Sequence, residues 1–299
     1  MKTNYPLSGT FIDDITYDIP ASNWTREQWA KDLDYMSEVG IDTLVFIRGG
    51  FNGRTIFPSE HFFCWSEDDF VAFIMQEAEK RDMQVYLGLY ISNINWNDGD
   101  YRTEINENKY FIAEAMKRYK DYSSFKGWYV PHETNCNSGN IAILTKCLAS
   151  MCKDAAPDKK VLLSPFFKSP VTGQAAFSKE RFFDEWDDVY AGFNGNVDIC
   201  AFQDGTAPLG SMGDYFGPAK ELCNKYGISL WSNVETFERD VRHMYYPIGF
   251  DHLRSKIKET KSYVEKFITF EFSHFLSPQS IYPSARNLFN LYKDYYGRK

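Results

Sequence analysis

No pair of cysteines in this chain has the C-x-x-C spacing of a zinc ligand set, although six are present: Cys64, Cys136, Cys147, Cys152, Cys200 and Cys223. Cys147 and Cys152 fall in a helix-patterned segment and Cys200 in a strand-patterned one. They read mostly as small buried apolar side chains, which favours a reducing compartment. No Lys/Arg block stands out either. The 41 acidic residues outnumber the 33 basic ones, the formal net charge is −8, and the pI is near 5.3. Nucleic acid and anionic membrane surfaces need a basic footprint, so neither is an expected partner. No apolar run reaches the length of a membrane-spanning helix. Met1-Lys2-Thr3-Asn4-Tyr5-Pro6 lacks the apolar core of a signal peptide. That predicts a cytoplasmic protein as the sequence is written, or a periplasmic or secreted one if a leader has been removed.

Several catalytic signatures are also missing. The first strand-like run carries no His-x-His, so the metal-dependent amidohydrolase pattern fails. His132-Glu133 is not followed by the second histidine of a zincin helix. No glycine-rich phosphate cradle follows the last two strand-like runs, and no Gly-x-Ser-x-Gly elbow appears. Lysines at strand ends are few; Lys168 reads as a solvated loop residue, so Schiff-base chemistry gains little support. No metal and no cofactor is expected.

What is present is a repeat of form. Eight short, almost continuously apolar runs occur at about Gly9–Asp14, Asp42–Gly49, Gln84–Ile91, Gly127–His132, Val161–Phe166, Asp198–Gln203, Ser229–Val234 and Phe267–Phe272. Such runs suit strands buried on both faces. Helix signals fill the spaces between them. Ser22-Asn23 precedes a stripe of Trp29, Leu33, Met36 and Val39, and Gly40 stops it. Ser66 and Asp69 resemble a capping box ahead of Phe70, Phe73, Ile74 and Ala78. Further helices are expected at about Gly139–Asp154, Tyr215–Tyr226 and Pro283–Tyr296. Eight such units without a linker predict one α/β domain over residues 1–299, a closed (β/α)8 TIM barrel. A doubly wound sheet is the alternative.

The longest inserts follow the C-terminal ends of the strands, where barrel enzymes build their sites. Glu133 ends the fourth run and Glu235 the seventh. Those strands face each other across an eight-stranded barrel, so two carboxyl groups can meet over its mouth. Cleavage of a glycosidic bond needs such a pair. Burial among aromatic walls would raise the Glu133 pKa, as a general acid requires. Glu235, open to solvent, would stay ionised as a nucleophile, with Arg48 the nearest strand-end cation; Glu238 is the rival for that role. Asp13 and Asp14, Arg48, Asn93, Trp96, Gln203, Asp204 and Glu271 are further strand-end candidates. Amides and carboxylates suit sugar hydroxyls, and the surplus of aromatics (25 Phe, 20 Tyr, 7 Trp) suits sugar ring faces as well as core.

Gly9-Thr10-Phe11-Ile12, the Trp24…Trp29 segment, Gly40-Ile41-Asp42-Thr43-Leu44 and Asp198-Ile199-Cys200-Ala201-Phe202-Gln203-Asp204 resemble domain-of-unknown-function family 4434 over nearly the whole chain. That resemblance implies a bacterial glycoside-hydrolase-like TIM barrel. A wider similarity is to the retaining barrel glycosidases. It implies that Glu133 is the acid/base and Glu235 the nucleophile, and places His132 and Asn233 beside them at the sugar. His132 stands where those enzymes have an asparagine that contacts the sugar 2-hydroxyl. Gln203-Asp204 replace the tyrosine or histidine of their sixth strand. The expectation is a retaining glycoside hydrolase acting on a carbohydrate substrate. A barrel that binds saccharide without cleaving it, and a carboxylate-based lyase or epimerase using the same pocket, are the competitors.

Overall fold

The structure is a computed structural model, and it describes residues 4–16, 20–66, 68–92, 101–134, 139–170, 177–242 and 244–298. Eight parallel strands close into a barrel: β1 (Leu7–Ile12), β2 (Thr43–Phe46), β3 (Gln84–Gly88), β4 (Phe125–Val130), β5 (Lys160–Leu163), β6 (Ile199–Gln203), β7 (Ser229–Glu235) and β8 (Lys266–Phe270). Each strand pairs with the next, and β8 returns to β1. This is the (β/α)8 TIM barrel that the eight apolar runs predict. Strands β2, β3 and β5 each end three residues before the expected run does, at Phe46, Gly88 and Leu163, and β8 stops at Phe270. The Phe270–Glu271 peptide is cis, and Phe272–Phe275 forms a short helical turn rather than more strand.

Alternation along the strands builds two cores. Phe11, Val45, Tyr86, Tyr129, Leu162, Ile199, Ala201, Trp231 and Ile268 point inward and fill the barrel. Their neighbours in sequence point outward and meet the helices: α1 (Arg26–Glu38), α2 (Phe70–Glu79), α3 (Tyr101–Tyr119), α4 (Gly139–Ala155), α5 (Lys179–Gly192), α6 (Met212–Tyr226), α7 (Phe250–Thr260) and α8 (Pro283–Gly297). Full burial of Trp29, Leu33 and Met36 on α1 contributes roughly 1.5–3 kcal/mol for each aliphatic side chain.

Three helix starts differ from the sequence expectation, α6 beginning at Met212 rather than Tyr215. The cap of α1 is Thr25, which forms a reciprocal capping box with Gln28, rather than Ser22-Asn23. Asp69 is itself the cap of α2, accepting from the Ala72 N–H at 2.8 Å; it is not the third-position partner of Ser66. The reason is spacing: a cap must stand immediately before the first helical residue. Gly227 closes α6 in the left-handed conformation at φ 67°, as its position predicts.

Two local sheets cover the C-terminal rim. Gly50–Phe51, Arg54–Thr55, Phe63–Cys64 and Tyr90–Ile91 form one, and the hairpin Phe237–Arg239 with Tyr245–Pro247 forms the other. The segment after β8 is tied to α1 by buried Asp32, which accepts from Ser273 Oγ at 2.8 Å and from Ser277 Oγ. Burial pushes the Asp32 pKa up to about 6, against those hydrogen bonds.

Candidate active site

A cavity of about 400 Å³ opens at the C-terminal mouth of the barrel. Strand parity explains what lines it. Trp231 faces the barrel interior, so Asn233 and Glu235 face the same way and rise into the cavity. Tyr129 and Glu133, Ala201 and Gln203, Phe11 and Asp13, and Ile268 and Phe270 repeat that alternation at the other strand ends. Arg48 and Glu271, just beyond β2 and β8, complete the polar lining. Phe237, Tyr245, Phe275 and Tyr282 supply most of the aromatic wall. Phe237 meets Tyr245 and Phe275 at ring-centroid separations of 4.9 and 5.3 Å.

Glu133 meets solvent in the open cavity, but protein crowds it on its other sides. Burial raises its pKa, while Arg48, a hydrogen bond from Gln203 and Arg239 oppose that rise. Gln203 also donates from Nε2 to the Ser164 carbonyl at 2.9 Å, and Asn233 Nδ2 donates to Ser164 Oγ at 3.0 Å. Ser164 thus fixes two amides on adjacent strands, whose residues 203 and 233 are in register.

Glu235 is half-buried, not open as its strand-end position led us to expect. Burial raises its pKa to about 7; Lys256 and Arg239 lower it, and Asp204 and Glu133 raise it. The cations that act on it come from α7 and from the hairpin. Arg48 acts instead on Glu133 and Glu271. Asp204 lies beneath: its Oδ1 accepts from the Glu235 N–H at 3.0 Å and from Lys256 Nζ at 2.9 Å. Lys256 also reaches the Glu235 carbonyl at 3.1 Å. Gly205 lets the carboxylate lie flat against the chain, since a Cβ there would sit 1.8 Å from Glu235 Oε2.

Glu271 is buried yet faces the cavity, and His274 Nδ1 bonds it from three residues on. Burial raises its pKa, with His274 the largest opposing influence. Asp13 is engaged in its own turn, accepting from the Ile15 N–H at 3.0 Å and from Thr16 Oγ1. The Arg48 guanidinium lies over the Phe51 ring, 5.0 Å from its centroid.

Of the residues singled out from sequence, Glu133, Glu235, Asp13, Arg48, Gln203, Asn233 and Glu271 share this cavity. His132 and Asp204 do not line it. Each sits one residue out of phase with an inward side chain and so turns behind the wall. His132 Nε2 lies 3.5 Å from Glu104 Oε2, both fully buried. Asn93 and Trp96 fall outside the described residues. Glu238 is away from the cavity, bound to His252 Nδ1 at 2.5 Å. Lys168, expected in solvent, is buried and lies 3.0 Å from Glu185. Sequence reasoning missed Lys256, Arg239, Gly205 and His274. Among the described residues no cluster of three His, Cys, Asp or Glu side chains could hold a metal, and no helix is long and apolar enough to cross a membrane.

Comparison with known proteins adds to this geometry. The model of a domain family of unknown function, DUF4434, matches residues 7–282. A crystal structure from Bacteroides thetaiotaomicron VPI-5482, provisionally named an alpha-L-fucosidase, is similar at 36% identity. It superposes with a TM-score of 0.92 over 99% of this chain and 94% of that one. A beta-galactosidase from the psychrophilic Marinomonas ef1 shares the fold at 11% identity and TM-score 0.63, over 97% of this chain and 59% of that one. A GH18 chitinase from Pseudoalteromonas aurantia does so at 11% and 0.58, over 95% and 98%. No curated protein matches the sequence.

Proposed function

The chain belongs to the DUF4434 family, and from its cavity we propose that it is a glycoside hydrolase working by the retaining, two-glutamate mechanism. One observation carries this reading. Glu133 and Glu235 rise from the ends of β4 and β7, three strands apart around the barrel, into one aromatic-walled cavity, close enough that the charge of Glu133 opposes ionisation of Glu235. Two carboxyl groups with one proton between them are what the reaction consumes and restores.

In the first step Glu133 gives its proton to the leaving oxygen while ionised Glu235 attacks the anomeric carbon. The glycosidic C–O bond breaks and a Glu235–sugar ester forms. In the second step Glu133, now a carboxylate, takes a proton from water. The hydroxide attacks the same carbon, the ester breaks, and both groups return to their starting states. Arg48 and Arg239 hold negative charge at Glu133, and Lys256 and Arg239 hold it at Glu235. Asp13, Gln203, Asn233 and Glu271 take the sugar hydroxyls. His132 and Asp204 act from behind the wall by fixing the chain that carries Glu133 and Glu235.

A relative at 36% identity is provisionally named an alpha-L-fucosidase, so 4-nitrophenyl alpha-L-fucopyranoside heads the substrate panel. Proton NMR of the first sugar anomer released reads the stereochemistry. Retention with loss of turnover in Glu235→Gln supports the mechanism. Unchanged turnover in Glu235→Gln removes the nucleophile. Tight glycan binding without hydrolysis over days transfers the cavity to a binding role.

A further inference from the structure

A second cavity, of about 340 Å³, lies on the outer rim beside the first. Successive residues at the end of β1 divide them: Asp13 faces the central cavity and Asp14 the outer one. The start of α1 contributes Trp24, Thr25 and Arg26, and the approach to α2 contributes Trp65, Ser66 and Asp68. The volume falls within the roughly 300–1,000 Å³ of small-molecule sites.

Its walls are held in place. Trp24 packs edge-on to buried Trp29 at 5.2 Å. Trp65 is half exposed, with its main chain bonded to the Thr55 carbonyl at 2.8 Å and the Arg54 guanidinium 4.3 Å from its ring centroid. Arg26 clamps the two sides together, donating to Ser66 Oγ at 2.9 Å and pairing with Asp68. Asp14 is different. Among the described residues it makes no hydrogen bond or ion pair, although it is substantially covered. Burial raises its pKa to about 7, and only Arg26 opposes that. Asp14 therefore offers this indole-lined cavity a carboxyl whose acceptor sites no protein donor among the described residues occupies.

We propose that this outer cavity is a second saccharide-binding site, which takes one neutral sugar unit. Sugar hydroxyls donate to Asp14 and Asp68, and the C–H face of the ring lies on indole. A carboxylate- or sulfate-bearing sugar is disfavoured, because Asp14 and Asp68 line the cavity and negative charge on Asp13 and Asp68 already opposes ionisation of Asp14. A cationic ligand is disfavoured because the Arg26 and Arg54 guanidiniums stand at both walls. The proposal rests on the preceding reading only in taking the ligand to be a sugar.

The test uses the full chain as Glu235→Gln, so that no glycan is consumed. An array of neutral, sulfated and uronic-acid oligosaccharides is probed with this protein. The strongest neutral ligand is then titrated calorimetrically into it and into the same protein carrying Trp65→Ala or Asp14→Asn. Circular dichroism checks that each variant is folded. The expected result is binding to neutral glycans that weakens roughly tenfold or more in both variants, where tenfold is about 1.4 kcal/mol. Hydrolysis of a small aryl glycoside by wild-type protein with Trp65→Ala alone stays unchanged. Unaltered affinity in both variants overturns the second site. So does a preference for charged glycans, or an array with no bound glycan. Weakened binding in a protein that hydrolyses nothing keeps the second site and removes the hydrolase reading.

Discussion

Gly205→Ala separates the position of a carboxylate from the stability of the fold. The added Cβ would lie 1.8 Å from Glu235 Oε2, 2.2 Å from Cδ and 2.4 Å from Oε1, against 3.4 Å for ordinary contact. The nearest oxygen must therefore withdraw by 1.6 Å. The yielding atoms are the far end of a flexible side chain, and Gly205 is not in the left-handed region. The fold should lose less than about 1 kcal/mol, because alanine also restricts the unfolded chain. Catalysis should lose far more: a displacement of about 1 Å at the reacting atoms costs on the order of 100-fold. The assay is kcat on an activated aryl glycoside beside a thermal melt. Gly210→Ala is the control. Gly210 has φ 88° and open space around it, so alanine there costs about 1–2 kcal/mol of stability and leaves kcat alone. A Gly205→Ala protein that turns over like wild type would refute the requirement for Glu235 as placed.

Other consequences concern charge. The Glu235 pKa rises from 4.5 to about 7 on folding. Between those values the folded chain binds a proton that the unfolded chain does not, so this group's contribution to stability falls as pH rises through that window. Glu235→Gln should then be more stable than wild type at pH 8, by at most about 3 kcal/mol at 1.36 kcal/mol per unit. It should match wild type at pH 4.5; urea melts giving the same difference at both pH values would contradict this. In the proposed mechanism the attacking form is ionised Glu235, so kcat/KM should fall below pH 7, and Lys256→Met, which removes a cation that lowers this pKa, should move that limb upward. Asp13, Glu133, Glu235 and Glu271 outnumber Arg48 and Arg239 around the cavity. Glycosides of uronic acids should therefore be turned over at least tenfold less efficiently than neutral ones, as competing kcat/KM values would show. Asp32→Ala leaves the Ser273 and Ser277 hydroxyls without their acceptor. It should cost about 1–3 kcal/mol for each buried group, together with a rise in KM as the Glu271–His274 segment loosens.

The barrel was legible because its strands are buried on both faces and its helices on one. Those two patterns survive in the order of apolar residues. The carboxyl pair was legible for the same reason, since Glu133 and Glu235 stand where apolar runs end. What surrounds them was not. Lys256 reaches Asp204 from α7, 52 residues away in the chain. Arg239 and Tyr245 meet across a hairpin, with the guanidinium 4.9 Å from the ring centroid. The need for glycine at position 205 exists only once Glu235 lies on it. No periodicity encodes such meetings; they follow from closure of the barrel.

Alternation does sort the neighbours that sequence spacing alone grouped together. Glu133 and His132 are adjacent, as are Gln203 and Asp204, yet one member of each pair faces the cavity and the other faces buried charge. This changes how the departure at His132 is to be weighed. A side chain directed at Glu104 cannot take over a sugar contact that an asparagine makes elsewhere. Such a contact has to come from an inward amide at the same level. Gln203 and Asn233 are in register on adjacent strands, and both are fixed by Ser164. Gln203→Ala or Asn233→Ala should then depress kcat on a 2-hydroxy sugar and leave a 2-deoxy analogue little affected. His132→Asn should lower stability through the Glu104 pair without that discrimination. Equal losses on both sugars in the amide variants would show that the 2-hydroxyl is held by some other group.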